Sequence, residues 1–190
     1  MRRRITWLLL FSAAIAVTLL TYSRHVGATA QSGITTTFIK STLAPFNVFN
    51  HAIVPNPKGD GDNDRDDKML WLSMQATRGS SDFYIVNNTW APVNSATGAV
   101  ATTGWHSHPG HSLIFVTAGT LTDYESDDPG CKPHVYTAGM SFVDAGGDHT
   151  HVIRNEGSVA ASDIAVQLVP AGAARKIDAP TAPANCPGIL

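Results

Sequence analysis

Residues 104–122 read GWHSHPGHSLIFVTAGTLT, and residues 139–157 read GMSFVDAGGDHTHVIRNEG. Between them these stretches and the segment that joins them hold six of the chain's eight histidines. His106 and His108 are two residues apart, so on an extended strand both imidazoles leave the same face. His151 sits in a second strand-like run that ends at Asn155. Two histidines from one strand and a third from another are what a metal site inside a β-barrel would need. A lone His-x-His is as often a surface or strand-end feature, so the surrounding spacing has to decide.

That spacing resembles the cupin superfamily. The family's first motif is H-x-H, three or four residues, Glu, six residues, Gly. Here His106-Ser107-His108 is followed by Pro109, Gly110 and His111, then by Ser112 at the place of the Glu, and six residues later by Gly119. The second motif, G-x5-P-x-G-x2-H-x3-N, is met by Gly139, Gly147, His151 and Asn155. Ala145 stands for its proline, and one extra residue separates Gly147 from His151. The resemblance implies an all-β, single-domain, double-stranded β-helix, the jelly-roll barrel. It also implies a divalent transition metal on His106, His108 and His151. With the Glu, the donor set suits Mn, Fe or Ni; without it, the three-nitrogen face suits Zn, Fe(II), Cu or Ni and leaves positions for water or substrate. The thiol dioxygenases of this family also lack the Glu and use three histidines on iron. Ser112 is a poor ligand as a neutral hydroxyl but suits a hydrogen bond to bound water. His149 shares the parity of His151 and is an additional candidate, unless the extra residue makes a bulge that re-aims it.

The rest of the chain agrees with an all-β reading. ITTTFIK, DFYIVNNTW, SLIFVTAGTLTDYE, HVYTAG, MSFVDAG, HTHVIRN and SDIAVQLV are short β-branched and aromatic runs separated by Gly, Pro, Asn and Asp. Strands at this spacing make a sandwich or barrel. KMLWLSMQA is apolar without alternation, which reads as a strand buried on both faces. LAPFNVFNHAIV at 43–54 reads as a short helical turn or an extended arm. With Ser112 inward, as the resemblance implies for the place of the Glu, alternation puts Ile114 and Val116 in the lumen and Leu113 and Phe115 outside. Trp105 is expected to join the lumen, His111 to sit at the rim, and His134 at the surface. The lumen-facing strands read as nearly free of carboxylates, with Asp144 a turn former before Ala-Gly-Gly.

Residues 1–30 carry the marks of an export signal: Arg2, Arg3 and Arg4, the apolar run ITWLLLFSAAIAVTLL, and Ala28-Thr29-Ala30 at a cleavage site near Ala30. The run of 16 residues falls short of the ~20 that span a bilayer, so membrane contact is expected only through this segment if it stays uncleaved. The expected location is periplasmic or extracellular. Cleavage removes four arginines and no acids, taking the net charge from -2 to -6. An acidic domain argues against a nucleic-acid partner. Cys131 and Cys186, an even pair in an exported chain, read as a disulfide that pins the Pro/Ala-rich tail. The expected layout is therefore a signal or anchor at 1–30, an N-terminal arm and acidic loop at 31–68, a barrel at 69–170 and a tail at 171–190.

Two further patterns fail on their own chemistry. Asp60, Asp62 and Asp64 alternate like the start of a calcium-binding EF-hand loop, but Arg65 stands where that loop needs Gly and Trp71 where it needs Glu. The run reads as a solvated acidic loop. Ser112 beside His111 is not a nucleophile–base pair, because adjacent strand residues point to opposite faces. Two functional classes remain: a module that holds a metal and a small-molecule ligand, or a metal-dependent enzyme (dioxygenase-like, isomerase or hydrolase). The resemblance also leaves a homodimer open.

Overall fold

The computed structural model describes residues 30–56, 58 and 68–190. Residues 1–29 of the expected export signal and the run at Asp60, Asp62 and Asp64 lie outside the described residues. Thirteen strands follow in order: β1 (Ile34–Leu43), β2 (Asn47–Pro55), β3 (Lys68–Ala76), β4 (Ser81–Trp90), β5 (Ala101–Thr102), β6 (His106–Ser107), β7 (Ser112–Ala118), β8 (Thr120–Glu125), β9 (His134–Thr137), β10 (Ser141–Asp144), β11 (His151–Asn155), β12 (Ala161–Pro170) and β13 (Ile177–Asp178). Among the described residues there is no helix. The stretch 43–54 that was open between a helical turn and an extended arm is extended.

One sheet has the order β1-β4-β12-β7-β10 and the other β13-β6-β11-β8-β9, with β5 also on β11. From β4 to β12 the chain crosses between the sheets at almost every connection, and only β8–β9 stay together as a hairpin. This is the double-sheet jelly roll, so the all-β expectation holds on strand order alone. Alternation decides what each strand buries. On β7, Ser112, Ile114 and Val116 are buried while Leu113 and Phe115 face outward. Val86, Trp90, Ile114, Val116, Leu121, Phe142 and Ile153 fill the space between the sheets.

A second cluster lies on the other face of β6, β8 and β11. Trp105, Tyr124, Val152 and Cys186 pack there, with Ala179, Ala182 and Ile189 from the tail against them. Trp105 was expected in the lumen. It precedes His106 by one residue, so with His106 inward its ring goes outward, where Nε1–H donates to the carbonyl of Ile189 at 2.6 Å. The tail is held by this bond, by β13 on β6, and by the Cys131–Cys186 disulfide.

β3 departs from expectation in another way. It pairs only with β2, off both sheets. Leu70, Trp71, Leu72 and Met74 on β3, and Phe49 and Ile53 on β2, are each more than half exposed. The continuous apolar pattern was read as burial on two faces, and among the described residues nothing covers either face of the ribbon. The two sheets take in β1 and the strands from Ser81 onward, while the β2–β3 ribbon stands outside them.

The disulfide joins cysteines 55 positions apart, worth about 4 kcal/mol in the chain-entropy model. Replacing both cysteines by serine is expected to cost roughly 2–5 kcal/mol and lower Tm by roughly 5–15 °C. The same variant should lose its C-terminal tail to limited proteolysis first. Calorimetry and mass spectrometry of the digest check both.

Candidate metal centre

Strand pairing gathers the three histidines. His106 on β6 and His151 on β11 are directly opposite in the antiparallel ladder, and their ring centroids lie 4.5 Å apart. His108, two residues on from His106, returns to the same face, with its ring centroid 4.7 Å from that of His106. All three are buried, and one ring nitrogen from each lies within 4.8 Å of the others. Trp90, Ile114, Ile153 and Ala165 wall the adjoining cavity, whose volume is about 50 Å³. That is room for one or two water-sized groups.

Each ring is fixed by its other nitrogen. His106 Nδ1 is 2.8 Å from the carbonyl oxygen of Gly104, and His108 Nδ1 is 2.5 Å from that of Arg175. His151 Nδ1 is 3.1 Å from Oδ1 of Asp123, itself buried on β8. A carbonyl or carboxylate oxygen only accepts, so each Nδ1 carries the hydrogen and donates it. The Nε2 atoms of neutral His106 and His108 are then lone-pair donors, and they face each other at 3.1 Å. Two lone pairs at that distance repel unless a cation or proton sits between or beside them. A carboxylate behind a ligating imidazole is also the usual way a protein sets tautomer and orientation at a metal.

A carboxylate also enters the cluster from the front. Asp144, the last residue of β10, pairs directly with Ser112 of β7. Its Oδ1 accepts the Gly146 N–H at 2.9 Å, so it does form the expected turn. Its Oδ2 reaches the histidines, 3.1 Å from His108 Nε2 and 3.3 Å from His151 Nε2. Neither approach has hydrogen-bond geometry, and both Asp144 Oδ2 and His151 Nε2 are buried without a partner. The expectation of a lumen almost free of acids is therefore corrected: Asp123, Asp144 and Asp163 are all buried on its walls.

The electrostatics follow from burial and from these acids. Burial, then the neighbouring His151 and His108, holds His106 well below the usual imidazole range. Burial also lowers His108. At His151 burial works in the same direction, but the carboxylates of Asp123 and Asp144 overcome it and push the imidazole up to about 10. Burial alone would raise Asp144, and it is outweighed by His151, His108 and the Gly146 N–H, which lower it. The pocket thus favours one positive charge lodged between His151 and Asp144. Asp163, raised by burial, accepts from Trp90 Nε1 at 2.6 Å and Asn88 Nδ2 at 3.0 Å.

The remaining sequence candidates separate. Ser112 points inward, and its Oγ accepts from Gln167 Nε2 at 2.7 Å. The Gln167 Oε1 in turn accepts from Arg175 Nη1 at 2.9 Å. His149 precedes β11 and turns toward the rim, with Nε2 3.8 Å from Glu125 and Nδ1 3.4 Å from Asp127. Its ring centroid is 6.4 Å from that of His151. His111 is half-buried and His134 is exposed. Sequence reading missed Asp123, Gln167 and Arg175. For Asp123 a signal existed: it shares strand parity with Leu121, which is fully buried.

No family model matches the chain, and no curated protein does. Among solved structures it is similar to a cupin superfamily protein of Desulfitobacterium hafniense, at 13% identity and a TM-score of 0.37, over 46% of this chain and 67% of that one. It is similar to an oxalate oxidase at 24% identity and a TM-score of 0.36, over 47% of this chain and 46% of that one. A sugar phosphate isomerase of the cupin superfamily from Silicibacter pomeroyi matches at 21% identity and a TM-score of 0.36, over 44% and 48%. The matches to the last two span about half of each protein's own length.

Two loops close on each other beside His108 and Asp144. The Gly147 N–H donates to the His108 carbonyl at 2.7 Å. Gly146 has φ +68°, and a Cβ there would lie 2.4 Å from the Gly110 carbonyl oxygen, whereas Gly147 (φ +70°) has open space. Gly147→Ala is expected to cost about 1–2 kcal/mol, the left-handed penalty alone. Gly146→Ala adds a backbone clash and should cost roughly 2–4 kcal/mol. Urea denaturation of the two variants checks the ordering.

Proposed function

We propose that this chain is an exported cupin-domain protein that binds one divalent transition metal through Nε2 of His106, His108 and His151. A small molecule would be held in the adjoining cavity. One observation carries the reading: three buried imidazoles have their Nδ1–H groups committed to acceptors, and their Nε2 atoms are aimed at one another. His151 Nε2 and Asp144 Oδ2 are left without partners there. Buried polar atoms are rarely left so, and an ion is a standard reason when they are. The buried acids Asp123 and Asp144 carry two negative charges that a divalent cation would balance. Iron, zinc, manganese, nickel and copper all accept imidazole, and the donor set does not choose among them. The disulfide is in keeping with an oxidising compartment.

A second reading, a metal-dependent enzyme on a small exported substrate, is favoured by the cavity wall. Asp163, raised by burial, and Arg175 line the same cavity as the three histidines. Arg175 is suited to orient an anionic or oxygen-rich ligand, and Asp163 to hold or give a proton. When bound, the metal supplies Lewis acidity toward an oxygen of that ligand, or redox chemistry if it is iron.

Elemental analysis of the protein purified without an affinity tag should find about one transition metal per chain, and close to none in His106→Ala/His151→Ala. No metal in the parent, before or after reconstitution, would sink the metal reading. Asp123→Asn leaves the ligands in place but loosens the His151 ring, and it should weaken metal affinity about 10–100-fold by chelator competition. Chelation of the parent should lower Tm, because the ion binds only the folded site.

A further inference from the structure

We infer that Asp144 supplies the fourth donor of this site, replacing across the sheet the carboxylate that Ser112 lacks. The inference rests on the metal reading above and assigns a ligand to it. Ser112 and Asp144 are directly opposed on β7 and β10, and opposed residues in an antiparallel pair present their side chains on the same face about 5 Å apart. The carboxylate of Asp144 therefore enters, from the neighbouring strand, the same small volume that a side chain at 112 would enter.

The surroundings of both residues agree with that exchange. The Ser112 Oγ is already engaged by Gln167, which sits opposite it on β12. The row Asp144–Ser112–Gln167 thus runs across three strands, and only its Asp144 end carries an anion. At Asp144 the two oxygens have different tasks. Oδ1 takes the Gly146 N–H and fixes the carboxylate plane. Oδ2 lies 3.1 Å from His108 Nε2 and 3.3 Å from His151 Nε2, without hydrogen-bond geometry to either. A simple ion pair with an imidazolium would be expected to align one N–H on the oxygen. Oδ2 thus stands beside two ring nitrogens with no N–H aligned on it, which is the position a shared ion would need. The side chain is fully buried, so solvent does not satisfy Oδ2. The resulting donor set of three imidazoles and one carboxylate is harder and more anionic than three imidazoles alone.

The test uses the full-length chain without affinity histidines, Co(II) as the probe, and three variants: Asp144→Asn, Ser112→Glu, and the two combined. Asparagine keeps an oxygen for the Gly146 N–H and removes the charge. Asp144→Asn is expected to weaken Co(II) binding roughly 100-fold or more and to change the visible d–d spectrum. The combined variant, with its carboxylate returned to position 112, should recover affinity to within about tenfold of the parent. Unchanged Co(II) affinity and spectrum in Asp144→Asn, with the parent binding normally, overturns this inference and leaves the metal reading standing. A parent that binds no Co(II), Mn(II), Fe(II) or Zn(II) overturns both. If the variants misfold by circular dichroism, the parent itself decides. Loaded with Mn(II) and labelled with 13C at the aspartate carboxyl carbon, it should show a directly coordinated 13C coupling by electron–nuclear double resonance. Absence of that coupling overturns the assignment.

Discussion

The site depends on where three Nδ1–H bonds go. Each histidine spends that hydrogen on an oxygen that can only accept: a carbonyl at Gly104, a carbonyl at Arg175, a carboxylate at Asp123. An imidazole so held has one free nitrogen and one orientation. With all three rings held this way, the Nε2 lone pairs are brought together at a cost that only a positive charge offsets. These three oxygens come from the loop before β6, the tail beyond β12 and β8, and β10 brings Asp144 to the same place. The centre is therefore a consequence of the whole jelly roll rather than of the His-x-His segment.

Charge and volume then restrict what the centre can do. Two buried carboxylates and three imidazoles leave a net demand for positive charge. A single proton on His151 meets part of it, which is why that ring is pushed up to about 10. A divalent ion meets all of it without an uncompensated charge in the barrel. The adjoining cavity of about 50 Å³ admits a water or a very small ligand, with Arg175, Gln167 and Asp163 on its walls.

The parts legible in sequence were those set by local periodicity. His106 and His108 share a face because the strand repeat is two, and Ser112, Ile114 and Val116 follow the same rule into the core. The disulfide was legible from cysteine number and the expected export. Asp144 was read only as a turn former because the Ala-Gly-Gly that follows it accounts for the residue completely. Its second role requires knowing that β10 lies against β7, and those strands are separated by the β8–β9 hairpin. Gln167 and Arg175 were out of reach for the same reason: their partners come from strand order, which no local pattern encodes.

The two misread segments make a sharper point about what an apolar pattern means. Trp105 was expected in the lumen beside Ile114 and Val116. Its parity is opposite to that of His106, and the face it occupies is apolar because the disulfide-tethered tail covers it. KMLWLSMQA poses the converse case: both faces of β3 carry large apolar side chains, Leu70, Leu72 and Met74 on one and Met69 and Trp71 on the other, and these are exposed. Two-stranded ribbons are marginal in water without a hydrophobic face to lie on, and an exposed apolar surface of this kind is not a property of an ordinary isolated domain. Hydrophobic periodicity reports that a face prefers to leave water. Which body covers it, whether a sheet of the same barrel, a tethered tail or something outside the chain, is decided by tertiary geometry.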